Sequence, residues 1–315
     1  MKLSIVTTLY KSAPYIEEFH KRASDVARQL AGEDFEIVFV NDGSPDNSLD
    51  IAVQLSEKDG KVVVVDLSRN FGHHKAMMTG LEHADGELIF LLDSDLEEEP
   101  EWLVIFHNQM LAEQCDVVYG VQKSRKGGWF ERWSGAVFYT LFNWLANIEH
   151  PKNIVTARLM TKRYVKALLK HREREIVISC LWVITGFKQC QHAVTKHMTS
   201  PTTYSIIHKL NHLVNAVTSF SERLLYFIFY LGVALCAGSF AYIIYLVINR
   251  LILSTPLDGW TSVMVSIWLV GGVVMSSIGI IGIYLGKIFS ETKHRPYVIV
   301  RNVYGKTREN ESISN

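Results

Sequence analysis

The chain has 315 residues, and its 32 basic and 32 acidic side chains give a formal net charge of zero. That length holds one large domain plus something smaller, and the balanced charge argues against a nucleic-acid partner, which calls for a strong basic field. The four cysteines, Cys115, Cys180, Cys190 and Cys236, are scattered and form no Cys-x-x-Cys, so reduced structural thiols are expected rather than a disulfide framework or a zinc site.

Met1 to Tyr10 is too short and too polar on its far side for a secretory signal, and the N-terminal domain is expected to stay in the cytoplasm. Leu3 to Leu9 reads as a strand. Pro14 to Leu30 carries Ile16, Phe19, Ala23, Val26 and Leu30 at helical spacing. Phe35 to Val40 is an apolar strand closed by Asn41-Asp42-Gly43-Ser44. Ser48 to Lys58 is helical, Lys61 to Asp66 is a β-branched strand, and His73 to His83 is helical again. The apolar run Glu87 to Leu92 is a further strand, and Asp116 to Gly120 another. This alternation predicts a parallel, doubly wound sheet, whose ligands bind beyond the carboxyl ends of the strands. Asp42, Arg69 and Asp93 each follow a predicted strand, so three separately placed polar groups point at one crevice.

Asp93-Ser94-Asp95-Leu96-Glu97 ends the run from Glu87. Residues i and i+2 of an extended chain point the same way, so Asp93, Asp95 and Glu97 converge. Hard carboxylate oxygens suit Mg²⁺ or Mn²⁺, which take further ligands from substrate phosphates. A carboxylate and a phosphate about 4 Å apart repel by roughly 1 kcal/mol in water and about 4 at a surface-like dielectric, and a divalent cation between them reverses the sign. The plainer reading is a solvated acidic turn before a helix that starts near Pro100. No Gly-x-Gly-x-x-Gly and no Gly-x-x-x-x-Gly-Lys-Ser/Thr occurs, which argues against a dinucleotide cofactor and P-loop chemistry. His73-His74 reads as structural or surface residues.

Trp129 to Ile148 is rich in aromatics, and Tyr204 to Ser221 carries an apolar side. Both are expected to be amphipathic helices in the headgroup layer. Leu224 to Ile248 and Val263 to Leu285 are apolar runs without a charge, each longer than the roughly 20 residues that cross a bilayer as a helix. Asn249 to Ser262 joins them, and Lys209, Arg223, Lys287, Lys293, Arg295 and Arg301 cluster outside the hairpin. The positive-inside bias then puts both chain ends in the cytoplasm, as in a multi-pass protein of the inner (plasma) membrane. The expected division is an α/β nucleotide-sugar and metal domain over 1–122 and an acceptor-facing segment over 123–222. A transmembrane hairpin over 223–289 and a cytoplasmic tail over 290–315 complete it.

On Asn41-Asp42-Gly43-Ser44-Pro45-Asp46, Arg69-Asn70-Phe71-Gly72, Asp93-Ser94-Asp95-Leu96-Glu97, Phe138-Tyr139, Arg158-Leu159-Met160 and the terminal hairpin, the chain resembles the family 2 glycosyltransferases. Within them it is most similar to the polyisoprenyl-phosphate glycosyltransferases, the group of dolichol-phosphate mannose synthase and the bactoprenol glucosyltransferases. The resemblance implies a Rossmann-like α/β domain of GT-A type and an inverting transfer from a nucleotide-sugar donor to a polyprenyl phosphate at the cytoplasmic leaflet. It implies that Tyr10, Asp42, Arg69 and Ser94 bind the donor, and that Asp93, Asp95 and Glu97 hold Mg²⁺ or Mn²⁺. Asp93, Asp95 and Arg158 are then the catalytic set. Arg125, Arg132 and Arg158 are candidates for the acceptor phosphate, because arginine suits bidentate phosphate contact. A homo-oligomer through the hairpin fits the resemblance.

The chain also departs from the family. Glu97 stands where Gln is usual, Thr156 where an Asp precedes Arg158, Gln122 replaces an Arg, and Ser200-Pro201-Thr202-Thr203-Tyr204 replaces Gly-x-Ser-Lys-Tyr. Most departures fall in the acceptor- and sugar-facing half, which implies an unusual sugar, an altered acceptor pocket or lost activity. The alternative function is therefore a membrane-anchored partner that binds sugar nucleotide with impaired catalysis. A processive polysaccharide synthase fits poorly, since Trp129 stands at the Gln position of Gln-x-x-Arg-Trp and only two spans exist.

Overall fold

In the computed structural model the described residues are 2–122, 153–171, 173, 178–196, 223–253, 259–293 and 295–305. They fall into two compact units, an α/β unit and a unit of two long helices.

The α/β unit opens with β1 (Leu3–Leu9), buried at every position. Then come α1 (Ile16–Ala31), β2 (Phe35–Asn41), α2 (Ser48–Lys58), β3 (Val62–Leu67), α3 (His73–His83), β4 (Leu88–Leu91), α4 (Trp102–Glu113) and β5 (Val117–Gln122). β6 (Ile154–Thr161), α5 (Lys162–Leu168), α6 (Ile178–Ile184) and β7 (Gln189–Val194) follow. β8 (Val300–Tyr304) comes only after the two long helices, α7 (Arg223–Leu253) and α8 (Trp260–Thr292).

One eight-stranded sheet runs in the order β7-β5-β6-β4-β1-β2-β3-β8. β3, β2, β1 and β4 are parallel, β6 runs against β4 and β5, β7 is parallel to β5, and β8 runs against β3. Register aligns Leu9 with Asn41 and Asn41 with Asp66, and sets Leu91 beside Val6, so the carboxyl ends of four parallel strands form one rim. Arg158 of β6 sits between Leu91 and Tyr119 at the same rim.

Helices cover the sheet because their apolar faces meet it. Phe19 packs edge-on against Phe39 at 5.9 Å, and Phe106 against Phe90 at 6.1 Å. Each fully buried ring of this kind contributes about 1.5–3 kcal/mol. Glu17 and Glu18 lie in the first turn of α1 and Arg28 in the last, complementing its dipole.

The cysteines depart from expectation. Cys115 and Cys190 form a disulfide between residues 75 apart in sequence. β5 and β7 pair in parallel with Val118 beside Cys190, which brings the α4–β5 turn to the start of β7. Scattered sequence positions hide that pairing. Cys180 is buried and unbridged.

The second unit consists of α7 and α8. At about 1.5 Å per residue each exceeds the roughly 30 Å of a bilayer's hydrocarbon core. Leu225–Tyr242 and Leu269–Thr292 are long and apolar enough to cross a membrane by length and composition. Phe229, Tyr230, Phe240, Met275 and Leu285 are each more than half exposed, as a lipid-facing surface would be.

Candidate functional site

The rim divides into two halves. In the first, the Asp42 carboxylate closes β2 onto the loop after β3. Its Oδ1 accepts the Phe71 N–H at 2.7 Å and its Oδ2 the Gly72 N–H at 3.1 Å. Burial pushes the Asp42 carboxyl above its ordinary range, more than those two amides pull it down. Gly43 has φ +58, and a Cβ there would stand 2.6 Å from the Arg69 carbonyl carbon, so only glycine lets the two loops approach. Arg69 is exposed, stacks over Phe71 at 4.1 Å and donates to the Asn70 carbonyl. Tyr10, just past the end of β1, is 49% exposed, with the Lys11 ammonium 5.8 Å over its ring. Lys11 donates its N–H to Ser44 Oγ at 2.7 Å, which ties the β1 and β2 ends together.

The second half is built on the acids after β4. Asp93 Oδ2 accepts the Thr156 hydroxyl at 3.0 Å, and Asp93 Oδ1 faces His73 Nε2 at 3.3 Å. Asp95 Oδ1 takes the Glu97 N–H at 3.0 Å, closing a turn in which Leu96 has φ +60. Glu98 is fully buried, and its Oε1 accepts the Thr156 N–H at 3.0 Å. Lys196, two residues past β7, brings its Nζ to 3.2 Å from Glu97, 3.5 Å from Glu98 and 3.9 Å from Asp93. Burial raises the Asp93 carboxyl, but His73, Lys196 and Thr156 outweigh it and hold it below its usual range. Burial and the Asp93 charge push Glu98 up to about 8. Asp95 is raised by burial and by its acidic neighbours.

Ser94 lies between Asp93 and Asp95 and is 5% exposed. Its hydroxyl lies 2.9 Å from the Thr8 carbonyl, to which it donates, and 3.0 Å from Ser12 Oγ. Ser94 therefore fastens the β1 loop that carries Tyr10. Arg158 is 1% exposed, sets its guanidinium carbon over the Trp182 ring, and donates its Nε–H to the Thr156 carbonyl at 3.2 Å. Its Nη2 has no hydrogen-bond partner, and burial drags the guanidinium down to about 9. Arg125, Arg132 and both expected interfacial helices lie outside the described residues.

Two separately coded sets of groups thus share one rim: an exposed aromatic and arginine beside a fixed loop, and a cluster of carboxylates. The model of the family described as Glycosyl transferase family 2 matches residues 4–172. The chain belongs to glycosyl transferase family 2. A Mycobacterium tuberculosis (strain CDC 1551 / Oshkosh) protein whose name places it among the glycosyltransferases is 48% identical over 316 residues, covering 99% of this chain and 92% of that one. The uncharacterized glycosyltransferase YkcC of Bacillus subtilis is 32% identical, over 97% of this chain and 95% of its own. The bactoprenol glucosyl transferase of Shigella phage SfV is 30% identical, over 96% and 99%.

As a family 2 glycosyltransferase the chain is an enzyme with a GT-A-like mixed sheet. By chemistry the acidic turn suits a hard divalent ion, since its ligand atoms are carboxylate oxygens and Asp93 Oδ1 and Glu98 Oε2 have no hydrogen-bond partner, but Asp93, Asp95 and Glu97 do not all bring an oxygen within 4.8 Å of one another. Sequence reasoning missed four contributors to this site. Glu98 and Lys196 belong to none of the motifs named above. Thr156 was marked only as a departure, and His73 was read as structural or surface. The position of His73 at the first turn of α3, directly after a strand-end loop, was the one signal in the sequence that pointed to the rim.

Proposed function

We propose that this glycosyltransferase moves a sugar from a nucleotide-sugar donor to a polyprenyl phosphate of undecaprenyl type at the cytoplasmic face of the inner membrane, with inversion at the anomeric carbon. Cell-surface glycan synthesis or modification, lipopolysaccharide included, is the fitting use of such a product. The observation that carries this reading is the acidic cluster at the sheet rim of a chain that also holds two apolar helices of membrane-spanning length.

Topology supports it. β7 precedes the two long helices and β8 follows them, yet both strands belong to one sheet. If the chain crosses a membrane between them, it does so an even number of times, which two helices satisfy. The basic residues outside the hairpin then favour the cytoplasmic side for the sheet. The domain division at 122, 222 and 289 belongs to this reading, as does a homo-oligomer through the hairpin.

The chemistry follows from charge. A phosphate monoester has a second pKa of roughly 6, so at neutral pH it is largely a dianion and attacks the anomeric carbon without a strong general base. Mg²⁺ or Mn²⁺ on Asp93, Asp95 and Glu97 would neutralise charge developing on the departing nucleoside diphosphate. Thr156 and His73 hold the Asp93 carboxylate from two sides. Tyr10 and Arg69 cover the donor's base and diphosphate, and Asp42 and Ser94 fix the loops that carry them. Arg158, Arg125 and Arg132 hold the acceptor phosphate beside the donor.

Turnover tests the proposal. Purified full-length enzyme in detergent is offered a panel of nucleotide sugars with undecaprenyl phosphate, and the lipid product is identified by mass. Product is expected only with Mg²⁺ or Mn²⁺ present, and Asp95→Asn should abolish it. Full activity in EDTA or in Asp95→Asn rejects the metal assignment. Donor hydrolysis without any lipid-linked product rejects the acceptor.

A further inference from the structure

The carboxylates assigned to the metal already surround a cation of the chain. Lys196 Nζ lies 3.2 Å from Glu97 Oε2, 3.5 Å from Glu98 Oε1 and 3.9 Å from Asp93 Oδ2, with its side chain 19% exposed. Four acids fall within residues 93–98, and one of them, Glu98, is fully buried with its Oε2 unpartnered. Such a group of acids favours a positive charge beside it, and in this structure Lys196 supplies it.

We propose that the Lys196 ammonium and the divalent ion are alternative occupants of the same oxygens, so that loading the ion displaces Lys196. This rests on the metal assignment above and adds to it a resident competitor. Distances argue for exchange rather than cohabitation. An ion about 2.1 Å from Glu97 Oε2 would stand no more than about 5.3 Å from the present Nζ position, two like-signed centres sharing one ligand atom. The point charge of lysine suits the role: its ammonium demands no planar geometry and sits on four rotatable methylenes, so it can leave without moving β7. Lys196 is a positioning residue here. It holds Asp93, Glu97 and Glu98 together before the ion arrives and lowers the affinity with which the ion is taken.

Manganese binding by the full-length enzyme in detergent tests this, read as free Mn²⁺ by electron paramagnetic resonance. Lys196→Met is expected to bind Mn²⁺ about tenfold tighter than wild type, the scale on which groups around a metal's ligands act. Lys196→Arg should stay close to wild type. The melting temperature in EDTA should fall in Lys196→Met and recover with Mn²⁺. A second measurement needs no variant. Lys196 acetylation by an amine-reactive reagent, followed by mass spectrometry, should be slow in EDTA and several-fold faster at saturating Mg²⁺, as displacement exposes the amine. Equal or weaker Mn²⁺ affinity in Lys196→Met, or labelling that Mg²⁺ leaves unchanged or slows, overturns the exchange. If both proteins bind Mn²⁺ alike, only the exchange falls. If neither binds it, the metal assignment falls as well.

Discussion

His73 Nε2 lies 3.3 Å from Asp93 Oδ1, while Nδ1 of the same ring meets the Thr8 hydroxyl at 3.0 Å. A single imidazole thus joins the start of α3, the end of β1 and the first acid after β4. The ring turns Nε2 to the carboxylate and Nδ1 to the Thr8 hydroxyl. Removing the ring leaves Asp93 held by Thr156 and Lys196 alone. His73→Ala should lower kcat/KM by about tenfold or more, in the range typical of groups that orient metal ligands, with little change in melting temperature. His73→Gln keeps one donor and should recover part of the loss. Wild-type turnover in His73→Ala would remove the residue from the site.

Asp42 is a backbone clamp. Both oxygens accept an N–H, and an asparagine offers only one oxygen while aiming its amide at the other donor. Asp42→Asn should destabilise the fold by about 1–3 kcal/mol, the cost of an unsatisfied buried group. The loose loop should also raise the donor KM more than it lowers kcat. Thermal melts and steady-state kinetics at varied donor check both, and an unchanged KM would separate Asp42 from the donor.

Arg158 separates stability from function. It is buried with one nitrogen unpartnered and no carboxylate in ion-pair contact among the described residues, so an apolar chain of similar length removes a desolvation cost of several kcal/mol without stranding a partner charge. Arg158→Met is therefore expected to melt no lower than wild type and to lose at least about a hundredfold in kcat/KM if the guanidinium meets the acceptor phosphate, a charge-assisted contact. Retained turnover with retained stability would make it a packing residue against Trp182.

Asp46 governs acid stability at the turn after β2. Its oxygens accept from Ser44 Oγ, Ser48 Oγ, Ser48 N–H and Ala13 N–H. Burial opposes the charged form, but these bonds win and bring the carboxyl from 3.8 down to about 2. A depressed folded pKa means that the unfolded chain takes up the proton first as pH falls. The contribution is full above about pH 4 and is lost as pH drops towards 2. The melting temperature of Asp46→Ala should lie below wild type by a constant amount between about pH 5 and 8, and the gap should close below about pH 4. A gap that stays constant into acid would assign the effect to packing.

Legibility followed the local signals. The strands from Leu3 to Asp66, and the helices between them, were readable because apolar runs end in turn residues such as Asn41-Asp42-Gly43. β6, β7 and β8 carry no such runs: Thr156 and Arg158 interrupt one, Gln189, Gln191 and His192 another, Arg301 and Asn302 the third. The extended-chain expectation for Asp93, Asp95 and Glu97 does not hold: β4 stops at Leu91, and the acids lie on a turn that the Asp95 side chain closes and in which Leu96 has φ +60, while Ser94 points onto Thr8 and Ser12. Lys196 reaches Glu97 across 99 positions of sequence, which no local pattern encodes. Only the parallel pairing of β7 with β5 delivers it.

β8 joins the outer edge of β3, with Val65 opposite Val303 and Arg301 within 3.3 Å of the buried Asp66. Those residues leave the ribosome after both long helices. During synthesis β3 therefore waits with a bare flank of unpaired amides, the state that invites aggregation. The edge of β3 is thus sealed only once residues 300–304 have followed both long helices off the ribosome, so the sheet closes last at the side opposite β7.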